Sequence, residues 1–315
     1  MPILKDIEKA HKRIKPYIHR TPILTSSSIN NLASAKLYFK CENFQKAGSF
    51  KIRGATNAVL QLESNQIERG VATASSGNHG AALSMAVSKR GGLTKVVMPK
   101  NTPKIKIDNV VRNGGEIIWC EPNQISRENV LNNLIKNTGN ILIHPYNDLR
   151  IVAGQASVAK ELLEDFPDLD VIISPVSGGG LLSGILSYAK KIKPNILIFG
   201  AEPEAADDTF RSIQTGEIKS NISTNTICDG LRAQIGTITF PLIKEMVDGI
   251  LTISEEDIIK SMRIILDRMK IIVEPSCSIA LAAILKNKKI FKDKKVGIIL
   301  SGGNIDLDQL PWIEF

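Results

Sequence analysis

Short apolar runs alternate with amphipathic segments along almost the whole chain of 315 residues. Runs that are apolar throughout predict strands buried on both faces, and the segments between them carry the period of helices. This alternation predicts an α/β fold of two doubly wound domains with mainly parallel sheets. The predicted strands are residues 37–41, 71–75, 95–98, 116–120, 141–144, 171–175, 196–201, 250–253 and 296–300, and predicted helices include residues 105–113, 127–136, 151–163 and 255–270.

The middle of the chain predicts a separate small domain. Between about residues 70 and 140 the pattern contains three complete strand–helix units. We therefore expect a small domain, residues 66–144, inserted into a large domain made of residues 1–65 and 145–315. No change in composition marks these boundaries.

Three loops rich in serine and glycine follow predicted strands, at residues 75–80, 177–181 and 301–304. In parallel sheets, ligands bind beyond the carboxyl ends of the strands. The loop at 177–181 also leads into a helix, where free amides and the positive end of the dipole attract an anion. We therefore favour a phosphate site over a tight turn without a ligand for Ser177, Gly178, Gly179, Gly180 and Leu181.

Lys51 lies among apolar neighbours in the sequence Gly-Ser-Phe-Lys-Ile-Arg-Gly-Ala. A lysine in such a setting has a lowered pKa, which suits a nucleophile that forms a Schiff base. Together with the phosphate loop and the hydroxyls and amides of the other two loops, it supplies the groups that pyridoxal phosphate needs. Each residue alone has a simpler interpretation: Lys51 as a surface lysine, Ser76 and Asn78 as helix caps, and His79 as a hydrogen-bonded histidine.

Composition excludes several other classes. No apolar run approaches the roughly 18 residues of a membrane span, and the charged N-terminus lacks the apolar core of a signal peptide, so we expect a cytoplasmic protein without membrane contact. The four cysteines show no metal-site or redox spacing. The net charge of +8 comes with only 5% aromatic residues, which argues against nucleic-acid binding.

An acidic segment follows the strand predicted at residues 196–201. The carboxylates of Glu202 and Asp208, with a backbone carbonyl between them, could bind a hard cation with water completing the shell. Judged by itself, the segment is better interpreted as an acidic helix start.

In combination, these motifs resemble the fold-type II pyridoxal phosphate enzymes, in the branch of the serine racemases and short serine/threonine dehydratases. The resemblance rests on residues 48–55, 75–80, 177–181 and 301–304 and extends over essentially the whole chain. Within the branch, the chain is most similar to the serine racemases at residues 120–122, 126–130, 144–148, 153–155 and 202–208.

The resemblance implies a role for each matching residue. Lys51 would hold the cofactor and act as a catalytic base, and Ser76 would act on the opposite face of the substrate. The implied cofactor-binding residues are Phe50, Lys51, Asn78, Ser177, Gly178, Gly179, Gly180, Leu181 and Ser301. The implied substrate-binding residues are Ser76, Gly77, Asn78, His79, Gly80 and Arg127. Glu202, Ala206 and Asp208 would bind Mg²⁺, or Mn²⁺ or Ca²⁺, which reverses the interpretation of the acidic segment.

The resulting hypothesis is a homodimeric serine racemase that also eliminates water from serine to give pyruvate and ammonia. Two positions depart from the family pattern: Ser177 replaces a glycine, and Ala233 stands where animal serine racemases carry a serine near the substrate. The substrate therefore stays open. The alternatives are a threonine/serine ammonia-lyase without racemase activity, a threo-3-hydroxyaspartate ammonia-lyase, and a non-catalytic amino-acid or cofactor sensor.

Overall fold

The computed structural model describes residues 2–75 and 77–312. Within these residues, ten strands form two sheets. All nine predicted strands are present, and a two-residue strand, β1, was not predicted. The strands are β1 (Ile23–Leu24), β2 (Lys36–Cys41), β3 (Val71–Ala74), β4 (Thr94–Pro99), β5 (Gly115–Cys120), β6 (Ile141–Leu142), β7 (Val171–Pro175), β8 (Leu197–Pro203), β9 (Gly249–Ile253) and β10 (Lys295–Leu300).

The larger sheet has six strands in the order β1-β2-β10-β7-β8-β9. Only the β1–β2 pair is antiparallel, and every other neighbouring pair is parallel. The last strand of the chain, β10, lies between β2 and β7, where Leu300 pairs with Cys41 and Val296 with Val171. The carboxyl ends of these parallel strands therefore meet at one edge of the sheet.

The smaller sheet has four parallel strands in the order β5-β4-β3-β6. All four come from the stretch between Val71 and Leu142, and the strands of the larger sheet come from both sides of that stretch. The domain boundaries expected at residues 65/66 and 144/145 stay a prediction.

Helices connect the strands and cover both sheets. They are α1 (Leu4–Ile14), α2 (Ser27–Ala33), α3 (Lys51–Val59), α4 (Ser64–Glu68), α5 (Asn78–Ser88), α6 (Lys104–Arg112), α7 (Gln124–Thr138), α8 (Leu149–Gln155), α9 (Ser157–Asp165), α10 (Gly180–Ile192), α11 (Asp208–Thr215), α12 (Thr239–Met246), α13 (Glu255–Met269), α14 (Pro275–Lys286) and α15 (Lys288–Phe291). No helix in the described part of the chain combines the length and the apolar character that crossing a membrane requires.

The single helix predicted over residues 151–163 is wrong. The chain forms α8 and α9 there, with a break at Ala156. At this break the Ser157 hydroxyl donates to the Gly154 carbonyl at 2.7 Å. Helix α10 also packs closely, since a Cβ on Gly184 would lie 2.7 Å from the Ala156 nitrogen. Periodicity alone does not reveal such a break.

Both faces of the larger sheet are buried in apolar clusters. In β7, Val171 and Ile173 belong to the cluster that contains α14, whereas Ile172 belongs to the cluster that contains α10. In β10, Ile298 and Ile299 alternate in the same way. This is the burial expected of a parallel sheet with helices on both faces, and it explains why the strand sequences are apolar throughout.

Candidate active site

The backbone before Lys51 is joined to the loop after β10. Ser49 and Gly302 form an antiparallel bridge, and the Phe50 amide donates to the Ser301 carbonyl at 3.0 Å. The Gly303 amide donates to the Gly48 carbonyl, also at 3.0 Å. Lys51 is the first residue of α3. This pairing places Lys51 beside Ser301 although 250 positions separate them in the sequence.

The Lys51 amine has few compensating polar contacts. Its Nζ donates to the Pro145 carbonyl at 3.1 Å and lies 5.1 Å from the centre of the Phe50 ring. Burial lowers the pKa of Lys51 to about 8, although the charge of Glu274 opposes the shift. A substantial fraction of the amine is therefore neutral near physiological pH, as a nucleophile requires.

The loop from Ser177 to Leu181 has the backbone of an anion cradle. Ser177 and Gly179 have positive φ angles of 56° and 87°. Helix α10 begins at Gly180, and among the described residues no acceptor faces the amides of Gly178, Gly180 or Leu181. Free amides at the start of a long helix fit the phosphate of a cofactor.

Tyr146 connects the phosphate loop to Lys51. Its ring lies so close to Gly178 that a Cβ there would be 2.4 Å from ring atoms. The preceding residue, Pro145, accepts the hydrogen bond from the Lys51 amine. The amine and the loop therefore border the same segment, residues 145–146.

The loop after β3 is organised by Ser75. Its Oγ accepts from the amides of Gly77 at 3.3 Å and Gly80 at 3.1 Å, so Ser75 holds the start of α5. His79 is buried and its Nε2 lies 3.3 Å from the Ile143 carbonyl. Burial, followed by the charge of Lys51, keeps the pKa of His79 well below its usual range. Ser76 lies outside the described residues.

His144, to which the sequence assigned no chemistry, also borders the site. Its Nδ1 accepts from the amides of Asn147 at 2.9 Å and Tyr146 at 3.3 Å, so the ring proton is on Nε2. Burial, followed by the charge of Lys51, lowers the pKa of His144 to about 4. The charge of Arg127 also lowers the pKa of His144. Burial raises the pKa of Tyr146, and the charge of Arg127 opposes that increase. Arg127 therefore lies near this side of the site.

Two further charged residues were missed by sequence reasoning. Glu274 accepts from the Asn78 amide nitrogen at 2.7 Å, and the Lys106 amine lies 3.2 Å from its other oxygen. Lys106 also donates to the Asn304 carbonyl at 2.7 Å and pairs with Asp229 at 3.2 Å. Neither Lys106 nor Glu274 belongs to a short motif, and 168 residues separate them, so no local signal marks the pair.

The acidic segment fits a cation. Glu202 and Asp208 are each 1% exposed, and Glu202 Oε1 and Asp208 Oδ1 have no hydrogen-bond partner among the described residues. Burial, followed by the charge of Asp208, raises the pKa of Glu202 well above its usual range, and burial raises that of Asp208 to about 6. Among the described residues, no group of three or more His, Cys, Asp or Glu side chains could hold a metal ion, so an ion here would need the Ala206 carbonyl and water as well.

Comparison with known proteins identifies the family. The model of the family described as "Pyridoxal-phosphate dependent enzyme" matches residues 14–302. The chain belongs to this family. It is a pyridoxal-phosphate-dependent enzyme of the racemase and lyase class, and the expected resemblance to the serine racemase branch is confirmed.

Relatives match over nearly their full lengths. A serine racemase of Arabidopsis thaliana is 50% identical, covering 98% of this chain and 95% of the relative. A beta-hydroxyaspartate dehydratase of Paracoccus denitrificans is 46% identical, covering 99% of each. The solved structure of maize serine racemase is 45% identical with a TM-score of 0.95, covering 97% of this chain and 94% of the other. These matches confirm the predicted fold class.

Proposed function

We propose that this chain is a serine racemase that also converts serine to pyruvate and ammonia. The carrying observation is the Lys51 amine, whose pKa is lowered to about 8, bordering the same segment as the phosphate loop. The similarity to serine racemases over almost the whole chain supports the choice of substrate.

The chain's residues divide the work between binding and proton transfer. Residues 177–181 would bind the phosphate through backbone amides, and Phe50 would pack beside the ring. When bound, the cofactor supplies an electron-withdrawing ring that takes up the charge left when the substrate Cα loses its proton. Lys51 would accept that proton. The Ser301 hydroxyl, which donates to no described residue, would face the ring nitrogen.

Racemisation requires a second acid/base on the opposite face of the planar carbon. We propose Ser76 for this role because, in the sequence, it lies between Ser75, whose Oγ accepts from the Gly80 amide, and Asn78, the first residue of α5. Replacing Ser76 with alanine should suppress interconversion of L- and D-serine but spare much of the pyruvate formation from L-serine. Chiral chromatography with a pyruvate assay measures both, and an equal loss of the two activities would refute the two-face assignment.

The lysine assignment has its own test. Lys51→Ala should remove the visible absorbance of the purified protein, expected at about 410–420 nm for a cofactor bound through a lysine. A variant that keeps this band would show that another amine holds the cofactor. A wild-type protein that binds no pyridoxal phosphate would contradict the whole proposal.

A second candidate function is the elimination of ammonia from threo-3-hydroxyaspartate. Arg127 lies near His144 and Tyr146, where it could bind a second carboxylate. The Paracoccus denitrificans relative is named a beta-hydroxyaspartate dehydratase. If this substrate is the main one, Arg127→Met should lower kcat/KM for hydroxyaspartate far more than for L-serine. Measuring kcat/KM for hydroxyaspartate, L-serine and L-threonine with the wild-type protein shows which of the three is the preferred substrate.

The divalent ion at Glu202, Ala206 and Asp208 is also a proposal, supported by the two carboxylate oxygens without partners. A homodimer and a cytoplasmic location stay predictions from the sequence. Analytical ultracentrifugation of the purified protein tests the first of these.

A further inference from the structure

Lys106 joins the two sheets through a buried group of charges. It lies on α6, which packs on β5 of the smaller sheet. Its three partners, Asp229, Glu274 and the Asn304 carbonyl, all come from segments that surround the larger sheet. These three contacts use all three ammonium protons. Lys106 and Glu274 are each at most 5% exposed, so water competes little for the contact between them, whereas the Asp229 side chain is 32% exposed.

The same group fixes which way the Asn78 amide points. Asn304 Nδ2 donates to the Ala47 carbonyl at 2.8 Å, and a carbonyl can only accept. The other Nδ2 proton of Asn304 is donated to Asn78 Oδ1 at 2.9 Å. Asn78 Nδ2 must then be the donor to Glu274 at 2.7 Å. Both amide orientations therefore follow from neighbours that only accept.

One N–H of Asn78 remains without an acceptor among the described residues. Asn78 begins the helix beside the candidate site, and it is the side chain that would bond the cofactor's ring oxygen. Asn78 Oδ1 already accepts a hydrogen bond from Asn304, so the part of the amide left to contact the cofactor's ring oxygen is an N–H donor. A flipped amide would present its own oxygen instead, and the two oxygens would repel each other.

We propose that Glu274 and Lys106 are positioning residues that hold the Asn78 amide as a hydrogen-bond donor toward the bound cofactor. The proposal rests on the proposed function, because it needs a cofactor attached at Lys51. Lys106 acts through Glu274 by holding that carboxylate in its charged form. Since α6 packs on the smaller sheet and α14, which begins after Glu274, packs on the larger one, the donor orientation depends on the Lys106 amine reaching Glu274.

Charge supports this arrangement. Burial raises the pKa of Glu274, and the charge of Lys106 opposes that increase. Burial disfavours the charged form of Lys106, but Glu274 and Asp229 outweigh burial and raise the pKa of Lys106. Without Lys106, Glu274 would take up a proton at a higher pH and lose its strength as an acceptor. The titratable and charged groups facing Glu274 are Lys51, Lys106, Cys228, Asp229 and Cys277.

The test compares cofactor binding in four variants of the holoenzyme. Lys106→Met and Glu274→Gln should each weaken the retention of pyridoxal phosphate roughly tenfold, the effect of losing a hydrogen bond to a charged group. The absorbance of the bound cofactor, followed as the pH is lowered, should report the protonation of Glu274. In Lys106→Met the midpoint of this change should move to higher pH. Lys106→Arg should restore both properties because it keeps the charge. The double variant of Lys106→Met and Glu274→Gln should differ little from Glu274→Gln alone.

Lys104→Met is the matched control, since Lys104 lies on the same helix, is exposed and pairs with Asp108. It should bind and titrate like wild type. If Lys106→Met fails to fold, Glu274→Gln and Lys106→Arg carry the test, with thermal unfolding as the check. Folded Lys106→Met and Glu274→Gln proteins that match wild type in retention and titration overturn this inference and leave the proposed function intact. A wild-type protein that takes up no cofactor defeats the proposed function instead.

Discussion

At the scale of the residue, the Lys51 amine is held in surroundings that favour its neutral form. Its pKa is lowered to about 8 by burial, with Glu274 opposing the shift. The neutral fraction therefore increases as pH rises through about 8. We predict that the rate of cofactor uptake by the apoprotein rises with pH and levels off above this value. Stopped-flow absorbance measures the rate, and a midpoint close to the ordinary lysine pKa of about 10.4 would contradict the assignment.

Sequence and structure differ most in the charged residues around the site. Lys51 and residues 177–181 could be proposed as site residues because each lies in a short motif, and residues 177–181 also follow a predicted strand. Glu274, Lys106 and His144 could not be assigned, because a single charged residue or histidine has no local pattern and its partner depends on how distant helices pack. Arg53 was visible in the Lys51 motif, yet nothing in the motif showed that its partners are Glu42 and Glu161.

At the scale of the element, Arg53 connects α3 to Glu42, which follows β2, and to Glu161 of α9. All five of its N–H groups are used: by both oxygens of Glu42, by both oxygens of Glu161 and by the Ser157 hydroxyl. Lys40 also pairs with Glu161, which balances two cations against two carboxylates. Because Arg53 is in the first turn of α3, this anchor also fixes where Lys51 begins the helix.

Removing the Arg53 guanidinium should therefore be strongly destabilising. In Arg53→Met, Glu42 and Glu161 stay buried, and Lys40, which pairs with Glu161, is the remaining cation of the network. We therefore expect the free energy of unfolding to fall by about 3–5 kcal/mol. Urea unfolding measures the change. The control is Arg20→Met, whose ion pairs with Glu164 and Asp165 are 39–47% exposed, and which should cost about 1 kcal/mol or less. Equal losses in the two variants would show that the buried network is not the anchor.

The phosphate loop can be tested with a pair of glycine variants. Gly179 and Gly91 both have positive φ angles, 87° and 73°, so alanine strains the backbone at either position. Only Gly179 is crowded: a Cβ there would lie 2.5 Å from Ile235, whereas a Cβ on Gly91 meets nothing within 4 Å. Gly179→Ala should weaken pyridoxal phosphate binding at least tenfold, by the loss of about 1.4 kcal/mol or more, and Gly91→Ala should leave it unchanged. Equilibrium dialysis gives both dissociation constants, and equal values would contradict the cradle.

At the scale of the whole molecule, the acidic segment and the phosphate loop are mechanically connected. Asp208 Oδ2 accepts from the Ile235 amide at 2.7 Å, and the Ile235 side chain packs against Gly179 together with Thr239 and Ile243. An ion that holds Glu202 and Asp208 together would therefore also stiffen the loop. If Mg²⁺ binds the folded chain at these carboxylates and does not bind the unfolded chain, it increases the free energy of unfolding.

We predict that a chelator lowers the Tm of the wild-type protein and that added Mg²⁺ restores it. Glu202→Gln should lose this response, because one of the two carboxylate charges is gone. Glu204→Gln should keep this response, since Glu204 is 52% exposed and pairs with Lys286. Differential scanning fluorimetry with and without Mg²⁺ compares the three proteins. A Glu202→Gln protein that responds like wild type would place the ion elsewhere or exclude it.

The sheets were more predictable than their connections. Each of the nine expected strands is apolar enough to be recognised without knowing its neighbours, and all nine are present. The two-residue β1 is too short to carry a period, and the division of residues 151–163 into α8 and α9 depends on the close approach of α10 at Gly184. Tertiary packing decided these features, so no local pattern could predict them.

The position of β10 has a consequence for how the protein is made. Its six residues separate β2 from β7, and the loop that follows it supplies the partner of Ser49 beside Lys51. Until β10 has been synthesised, the larger sheet lacks the strand that separates β2 from β7. The loop that pairs with Ser49 beside Lys51 is also missing until then. We therefore expect the growing polypeptide to bind its vitamin-derived group only after residues 295–304 have left the ribosome.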